Sequence, residues 1–326
     1  MAEQLLLDPA RKPTLAGVER AAEKIAGILP RTPLLSLTID GKTIWCKAEC
    51  LQPIGAFKIR GGWHRLTDLD ENQRKRGVVA FSSGNHAQGV AWAARQLGIK
   101  ATIIMPGDAP AAKLENTKKL GAEVITYDRM KESREKLAAE VAGKNGGVVV
   151  PSFDDPWIVE GQGSAGIEIR DQMIALTGSP PDQLVVCCGG GGLASGIALA
   201  NPQADIIVVE PEGWDDMKRS LESGAITPVQ DNPPATDCDA LQTLIVSPLT
   251  FDILKARHAK GVAVSAAQVH DAMRVAFERL HVVVEPGGAV ALAAVLAGYV
   301  PVTDRTAITL SGGNIDRKRF AEIIGA

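Results

Sequence analysis

GVVAFSSGNHAQGVAWAARQLGIKATIIMP, residues 77–106, decides the fold. GVVAF is a short apolar run of the kind that forms a buried strand, His86 to Leu97 carries apolar residues at helical spacing, and ATIIMP is a second buried strand. Two such strands joined by one helix make a βαβ unit with parallel strands. Towards the C-terminus the alternation continues with a helix from Ala111 to Leu120, the strand AEVITY, a helix from about Met130 to Ala142 and the strand GVVVP. After Pro151 a second series begins: a helix near Gly163 to Leu176, the strand QLVVCC, a helix from about Leu193 and the strand DIIVVE. AMRVAFERL and GGAVALAAVLAGYV read as helices, and TAITLSGG as a strand running into a turn. Towards the N-terminus stand a helix near Leu15 to Ile28 and the strand TIWCKAE, expected to pair with the second series. The weakest structure is expected between Gly224 and Pro248, where Pro, Asp and Asn collect. The sequence therefore predicts an α/β fold of two open, twisted, mostly parallel sheets flanked by helices. Its lobes interleave, with residues 1–74 and 151–326 in a large lobe and residues 75–150 in a small one.

Composition narrows the partners. Among 326 residues, 35 basic and 38 acidic side chains give a formal charge of −3 without a strong field, which argues against nucleic acid and anionic lipid and favours a small molecule. The 45% apolar content supports large cores, while 4% aromatic residues and 33 glycines favour Ala/Val/Gly-packed layers and turns. Cys46, Cys50, Cys187, Cys188 and Cys238 are odd in number, in a chain large enough to fold without disulfides. Buried, reduced thiols in the cytoplasm are expected, and zinc ligation fits their spacing poorly. The N-terminal MAEQLLLDPARKP lacks the pattern of a signal peptide, and no apolar run is long enough to span a bilayer, so neither secretion nor a membrane is expected.

Four segments stand out as carriers of chemistry: PIGAFKIRGG (53–62), SSGNHAQG (82–89), CCGGGGLASG (187–196) and LSGGN (310–314). Gly189, Gly190, Gly191 and Gly192 follow a strand and open a helix, where backbone amides converge and the helix dipole favours an anion. An ordinary tight turn is the alternative, but consecutive glycines carry an entropic cost that a plain turn does not require. The segment is neither a P-loop nor a good dinucleotide fingerprint. Lys58 lies among Ala56, Phe57 and Ile59, a setting that disfavours the ammonium form and promotes attack on a carbonyl; a solvated surface lysine is the alternative. In SSGNHAQG, small residues at a helix start form an amide nest suited to a carboxylate, Asn85 is placed to donate to a ring oxygen, and His86 reads as a backbone-satisfying residue rather than a general base.

Taken together and in order, these segments resemble the fold-type II pyridoxal-phosphate (PLP) enzymes, in particular the threonine/serine dehydratase and serine racemase branch. The likeness spans nearly the whole chain and includes EPGGA (285–289) before the terminal SGGN. It implies that PLP lies in the cleft between the lobes, joined covalently to Lys58, with Phe57 beside it and Asn85 at its ring oxygen. Gly189, Gly190, Gly191 and Gly192 would bind the phosphate, Ser311 the pyridine nitrogen, and Glu285 would lie near the ring. The loop of Ser83, Gly84, Asn85 and His86 would grip the substrate carboxylate, and Ser83 resembles the serine that faces the substrate opposite the lysine in racemases. Glu210 and Asp216 in VEPEGWDD resemble an acidic pair that holds a divalent cation together with the Trp214 carbonyl. Such oxygen ligands suit magnesium, manganese or calcium, and a solvated acidic loop is the alternative.

The implied activity is β-elimination from a small β-hydroxy amino acid such as L-threonine or L-serine, giving a 2-keto acid and ammonia, by a homodimer. Lys58 would take the α-proton, and a neutral Ser311 at the ring nitrogen would make a weaker electron sink than a carboxylate, favouring elimination over transamination. An amino-acid racemase, a 3-hydroxyaspartate dehydratase and a silent small-ligand binding protein are the alternatives. Ile54 and Gly55 stand where many relatives carry a Thr/Gly-Ser type pair, and Asp239-Ala240-Leu241 replaces a commoner Asp-Gly-hydrophobic run, so the substrate stays open. The chain ends soon after SGGN, so feedback inhibition by isoleucine is not expected.

Overall fold

A computed structural model describes residues 11–325 apart from Ser83, Asp108, Pro110, Arg129 and Met130. The apolar runs pair as two sheets because each needs a second layer over both of its faces. The smaller sheet consists of β3 (Val78–Phe81), β4 (Ala101–Pro106), β5 (Glu123–Tyr127) and β6 (Val148–Val149), all parallel, in the order β5-β4-β3-β6. The larger sheet consists of β1 (Leu34–Ile39), β2 (Lys42–Lys47), β7 (Gln183–Cys187), β8 (Asp205–Pro211), β9 (Lys260–Val264) and β10 (Thr306–Thr309), in the order β1-β2-β10-β7-β8-β9. Its pairings are parallel except for β1 with β2. That hairpin turns through Asp40 and Gly41, both with positive φ (50° and 78°), the conformation a two-residue reversal between right-twisted strands requires. The strand expected over 43–49 is β2, and its neighbour β10 belongs to the second series.

The helices in chain order are α1 (Leu15–Ile25), α2 (Lys58–Thr67), α3 (Glu71–Arg76), α4 (Asn85–Leu97), α5 (Ala111–Lys119), α6 (Arg134–Asn145), α7 (Pro156–Thr177), α8 (Gly192–Ala200), α9 (Asp216–Ser223), α10 (Pro248–Ala256), α11 (Ala266–Leu280), α12 (Pro286–Leu296) and α13 (Arg317–Ile324). None of the described helices is long and apolar enough to cross a membrane. The start of α7 corrects the expectation of a helix from Gly163. Asp155 caps it by accepting from Ile158 N, and Pro156 occupies the first turn. Gly161 and Gly163 lie inside the helix because a Cβ there would fall 2.6 Å from Gly61 Cα and 2.7 Å from Gly196 O. They are contact glycines against α2 and α8 rather than helix breakers. β1, β9, α2, α3, α9, α10 and α13 were not expected from the sequence: most are short and partly or largely exposed, so their periodicity is weak, while α2 is buried on nearly every side and shows no polar face.

One core lies about the larger sheet, where β7, β8 and the wholly apolar α12 are almost fully buried. A second core joins the smaller sheet to Ile59, Trp63 and Leu66 of α2 and Ile158 of α7. The junction is pinned by Arg60, which is fully buried. It donates to both oxygens of Glu49 at 2.7 Å and to both oxygens of Glu168 at 2.8 Å, and Lys47 Nζ adds a 2.6 Å contact to Glu168. Paired charge and directional donors fix α2 against β2 and α7. Lys58 sits two residues before that anchor.

Candidate active site

Lys58 opens α2, and its Nζ donates to Ser152 O at 2.7 Å and lies 5.2 Å from the Phe57 ring centre. The residue keeps some exposure, but its amine is packed among protein atoms, and burial pulls its pKa down from 10.5 to about 8. Among the described residues no carboxylate is paired with it to restore the ammonium form; the opposing influence comes from Cys187. The sequence expectation of an apolar lysine is thus met by a specific position at the end of the larger sheet.

SGGN after β10 forms one wall. Phe57 N donates to Ser311 O at 3.1 Å, Ala56 bridges Gly312, and Gly313 N donates to Gly55 O at 2.8 Å, so the lysine loop and the SGGN turn run as a short ribbon. The Ser311 hydroxyl bonds the Cys187 thiol, whose pKa burial raises. Ser311 therefore has a neutral neighbour. Glu285, the last residue before α12, is buried and accepts from Asn85 Nδ2 at 2.6 Å. Asn85 and Glu285 are thereby brought together with the Ser311 turn.

The glycine loop follows β7. Gly191 is the residue before α8 and adopts φ 84°, and no side chain caps the helix. A Cβ on Gly190 would fall 2.2 Å from the Phe153 ring, one on Gly191 2.8 Å from Met217 Cε, and one on Gly192 3.1 Å from Phe153 Cβ. Glycine is required at this loop because Phe153, next to the Ser152 that receives Lys58, presses against it. Phe153 and Ser152 had no signal in the sequence beyond their place after a strand.

In the SSGN loop, Gly84 precedes α4 with no side-chain cap, and its N–H donates to Ser82 Oγ at 3.2 Å. A Cβ on Gly84 meets nothing within 4 Å among the described residues. His86 is buried, with Nε2–H donating to Val150 O at 2.9 Å, and burial followed by the nearby Lys58 charge lowers its pKa to about 3. The imidazole is neutral. Ser83, expected to face the substrate, lies outside the described residues.

Glu210 and Asp216 are fully buried at the end of β8 and the start of α9. Glu210 accepts from Met217 N at 3.1 Å and Lys218 N at 2.8 Å, while no hydrogen bond reaches either carboxyl oxygen of Asp216 among the described residues. Burial raises both carboxyls, Asp216 to about 7, and the charge of Asp216 pushes Glu210 higher. The Trp214 indole donates to Pro234 O at 2.8 Å, which fixes the turn between them. No group of three or more His, Cys, Asp or Glu side chains arranged for a metal occurs among the described residues. A cation here would need backbone carbonyl and water oxygens to complete its shell, which suits a hard divalent ion. All five cysteines are buried and free.

The residues fit PLP on their own terms: a neutral-prone amine for its aldehyde, an uncapped glycine helix start for its phosphate, and a neutral hydroxyl in the ring wall. Comparison with known proteins agrees. A family model described as pyridoxal-phosphate dependent enzyme matches residues 25–312. An L-threo-3-hydroxyaspartate ammonia-lyase of a Pseudomonas species is 42% identical over 94% of this chain and 97% of its own, and a serine racemase of Schizosaccharomyces pombe is 40% identical over 96% and 97%. Among solved structures, maize serine racemase superposes with a TM-score of 0.88 at 35% identity, covering 96% of this chain and 97% of the other. The serine racemase of Dictyostelium discoideum gives 0.85 at 32%, covering 93% and 99%.

Proposed function

The chain belongs to the family of pyridoxal-phosphate-dependent enzymes, and from that premise we propose that it eliminates the hydroxyl of a small β-hydroxy amino acid, releasing a 2-keto acid and ammonia. Bound at Lys58, the cofactor would draw electrons from the substrate α-carbon and acidify its hydrogen. The observation that carries the reading is the Lys58 amine, buried to a pKa of about 8 and therefore fit both to join an aldehyde and to take that hydrogen near neutral pH. Phe57 would pack beside the ring, Asn85 would donate to its oxygen, and Glu285 would hold Asn85 in place. Gly189 to Gly192 would give their amides to the phosphate. Ser311, beside a neutral thiol, would leave the ring nitrogen without a carboxylate partner, which favours elimination over transamination. The substrate carboxylate would rest on the helix start at Ser83 to His86, with His86 contributing its backbone amide while its ring holds Val150.

Two further parts belong to this reading. A magnesium, manganese or calcium ion would sit between Glu210, Asp216 and the Trp214 carbonyl, relieving two buried carboxyls that otherwise need a proton. Residues 75–150 would move as the small lobe, in keeping with strands of the four-stranded sheet that all fall within 78–149.

Racemisation is the second reading, favoured by the serine racemases among the relatives. The two are separated by incubating the PLP-loaded protein with L-serine, L-threonine and L-threo-3-hydroxyaspartate, with Lys58→Ala as control, and following keto acid, ammonia and chirality together. Stoichiometric keto acid and ammonia, abolished in the control, are expected, and the rates rank the substrates. D-enantiomer without ammonia would replace the lyase reading by the racemase. No turnover of any of the three would sink both.

A further inference from the structure

A chain of amide hydrogen bonds takes its direction from its ends. Ile54 O is a backbone carbonyl and only accepts, so the Asn314 atom 2.8 Å from it is Nδ2, and the same nitrogen donates to Asn85 Oδ1 at 2.8 Å. At the far end Glu285 Oε1 accepts from Asn85 Nδ2 at 2.6 Å. Both ends demand the same orientation of the Asn85 amide. Asn314 gives one hydrogen to each acceptor, whereas Asn85 gives one to Glu285 and has a second to direct elsewhere.

The seat of Asn314 is equally specific. Gly55 adopts φ 72°, and a Cβ there would lie 2.5 Å from Asn314 Oδ1, so the side chain packs directly on the loop that leads to Lys58. One residue thus bonds the lysine loop and the SSGN loop, which are brought together from distant parts of the chain.

We infer that Asn314 is a positioning residue for the cofactor: it fixes the Asn85 amide so that the hydrogen not taken by Glu285 points at the ring oxygen. The inference rests on the reading of Asn85 as the ring-oxygen donor. With PLP bound at Lys58, a donor there would draw charge from the ring oxygen and so loosen its hold on a proton shared with the lysine nitrogen. Losing that donor strengthens the hold, and the proton then leaves at higher pH.

The test is a pH titration of the visible absorbance of the PLP-loaded protein, with melting temperature measured in parallel, for Asn85→Ala, Asn314→Ala, Asn314→Ser and Asn314→Asp. Asn85→Ala should move the titration upward by about one unit, the size of one charge-assisted hydrogen bond. Asn314→Ala should move it the same way, and Asn314→Asp at least as far, since its oxygens repel Asn85 Oδ1 and favour a flipped amide. Asn314→Ser keeps a smaller donor, should shift least, and serves if the alanine variant does not fold. Unchanged titration in all the Asn314 variants, with Asn85→Ala shifted, overturns the relay and leaves the Asn85 reading standing; a drop in melting temperature alone is that same result. No shift in Asn85→Ala overturns the Asn85 reading and the relay with it.

Discussion

Lys58 gains its reactivity from burial, and the consequence is measurable. With a pKa near 8 in place of 10.5, about 10% of the amine is neutral at pH 7 where an ordinary lysine has about 0.03%, a gain of roughly 300-fold in nucleophile. Capture of PLP by the cofactor-free protein, followed by absorbance, should therefore quicken about tenfold per pH unit up to about pH 8 and level off above it. A bend near pH 10 instead would mean that the amine is solvated. His86 adds no inflection between these limits, because burial holds its imidazole neutral down to about pH 3. The linkage runs in the matching direction: a base whose folded pKa is lowered contributes stability above pH 10.5 and loses it as pH falls through about 8. The apolar neighbours Ala56, Phe57 and Ile59 made a disfavoured ammonium legible in the sequence, though not the burial that produces it. The bond to Ser152 O and the pressure of Phe153 on the glycine loop were not, since both cross from a different part of the chain.

At the scale of elements, the helix starts divide by capping. Thr14, Asp70, Ser133, Asp155, Ser247, Ser265 and Asp316 cap α1, α3, α6, α7, α10, α11 and α13 with their side chains. No side chain from the preceding residue caps α2, α4, α8, α9 or α12, and these begin in the lysine, SSGN, glycine, acidic and EPGG segments. First-turn amides without an adjacent cap are open to another group; in α9 that group is Glu210. Two glycines at such starts should then behave oppositely. Gly190→Ala drives a methyl into Phe153, and its PLP dissociation constant should rise at least tenfold, about 1.4 kcal/mol, by equilibrium titration. Gly84→Ala meets nothing within 4 Å among the described residues, so PLP affinity and melting temperature should stay near wild type while KM for the amino acid rises. An unchanged KM would remove the substrate carboxylate from that loop. Sequence patterns located these segments, but the contact glycines of α7 concealed its first turns, because glycine reads as a breaker until the facing helix is known.

For the whole molecule, the buried Glu210 and Asp216 tie stability to a proton, and in the proposed cation site they would tie it to a divalent ion as well. An acid whose folded pKa is raised contributes stability at low pH and loses it as pH climbs through the folded value, about 7 for Asp216. Magnesium or calcium would take the place of that proton. Their addition should therefore stabilise the fold little at pH 5 and increasingly towards pH 8, by up to about 2.7 kcal/mol at about 100 times the dissociation constant, read as a rise in melting temperature. Equal effects at both pH values, or none, would discard the cation site.

The sequence by itself determined the βαβ winding, the order of the glycine-rich loops and the apolar neighbours on either side of Lys58. Each of these is written in the spacing of neighbouring residues, and a strand or helix start depends on little else. Only the tertiary structure decided that the Lys58 amine is buried, that His86 is neutral and turned to Val150, and that Asn314, Asn85 and Glu285 form one directed chain. A pKa and the direction of a hydrogen bond are set by groups that meet through space. Asn85 and Glu285 lie 200 residues apart, and no local pattern reports which atoms will face each other across that separation.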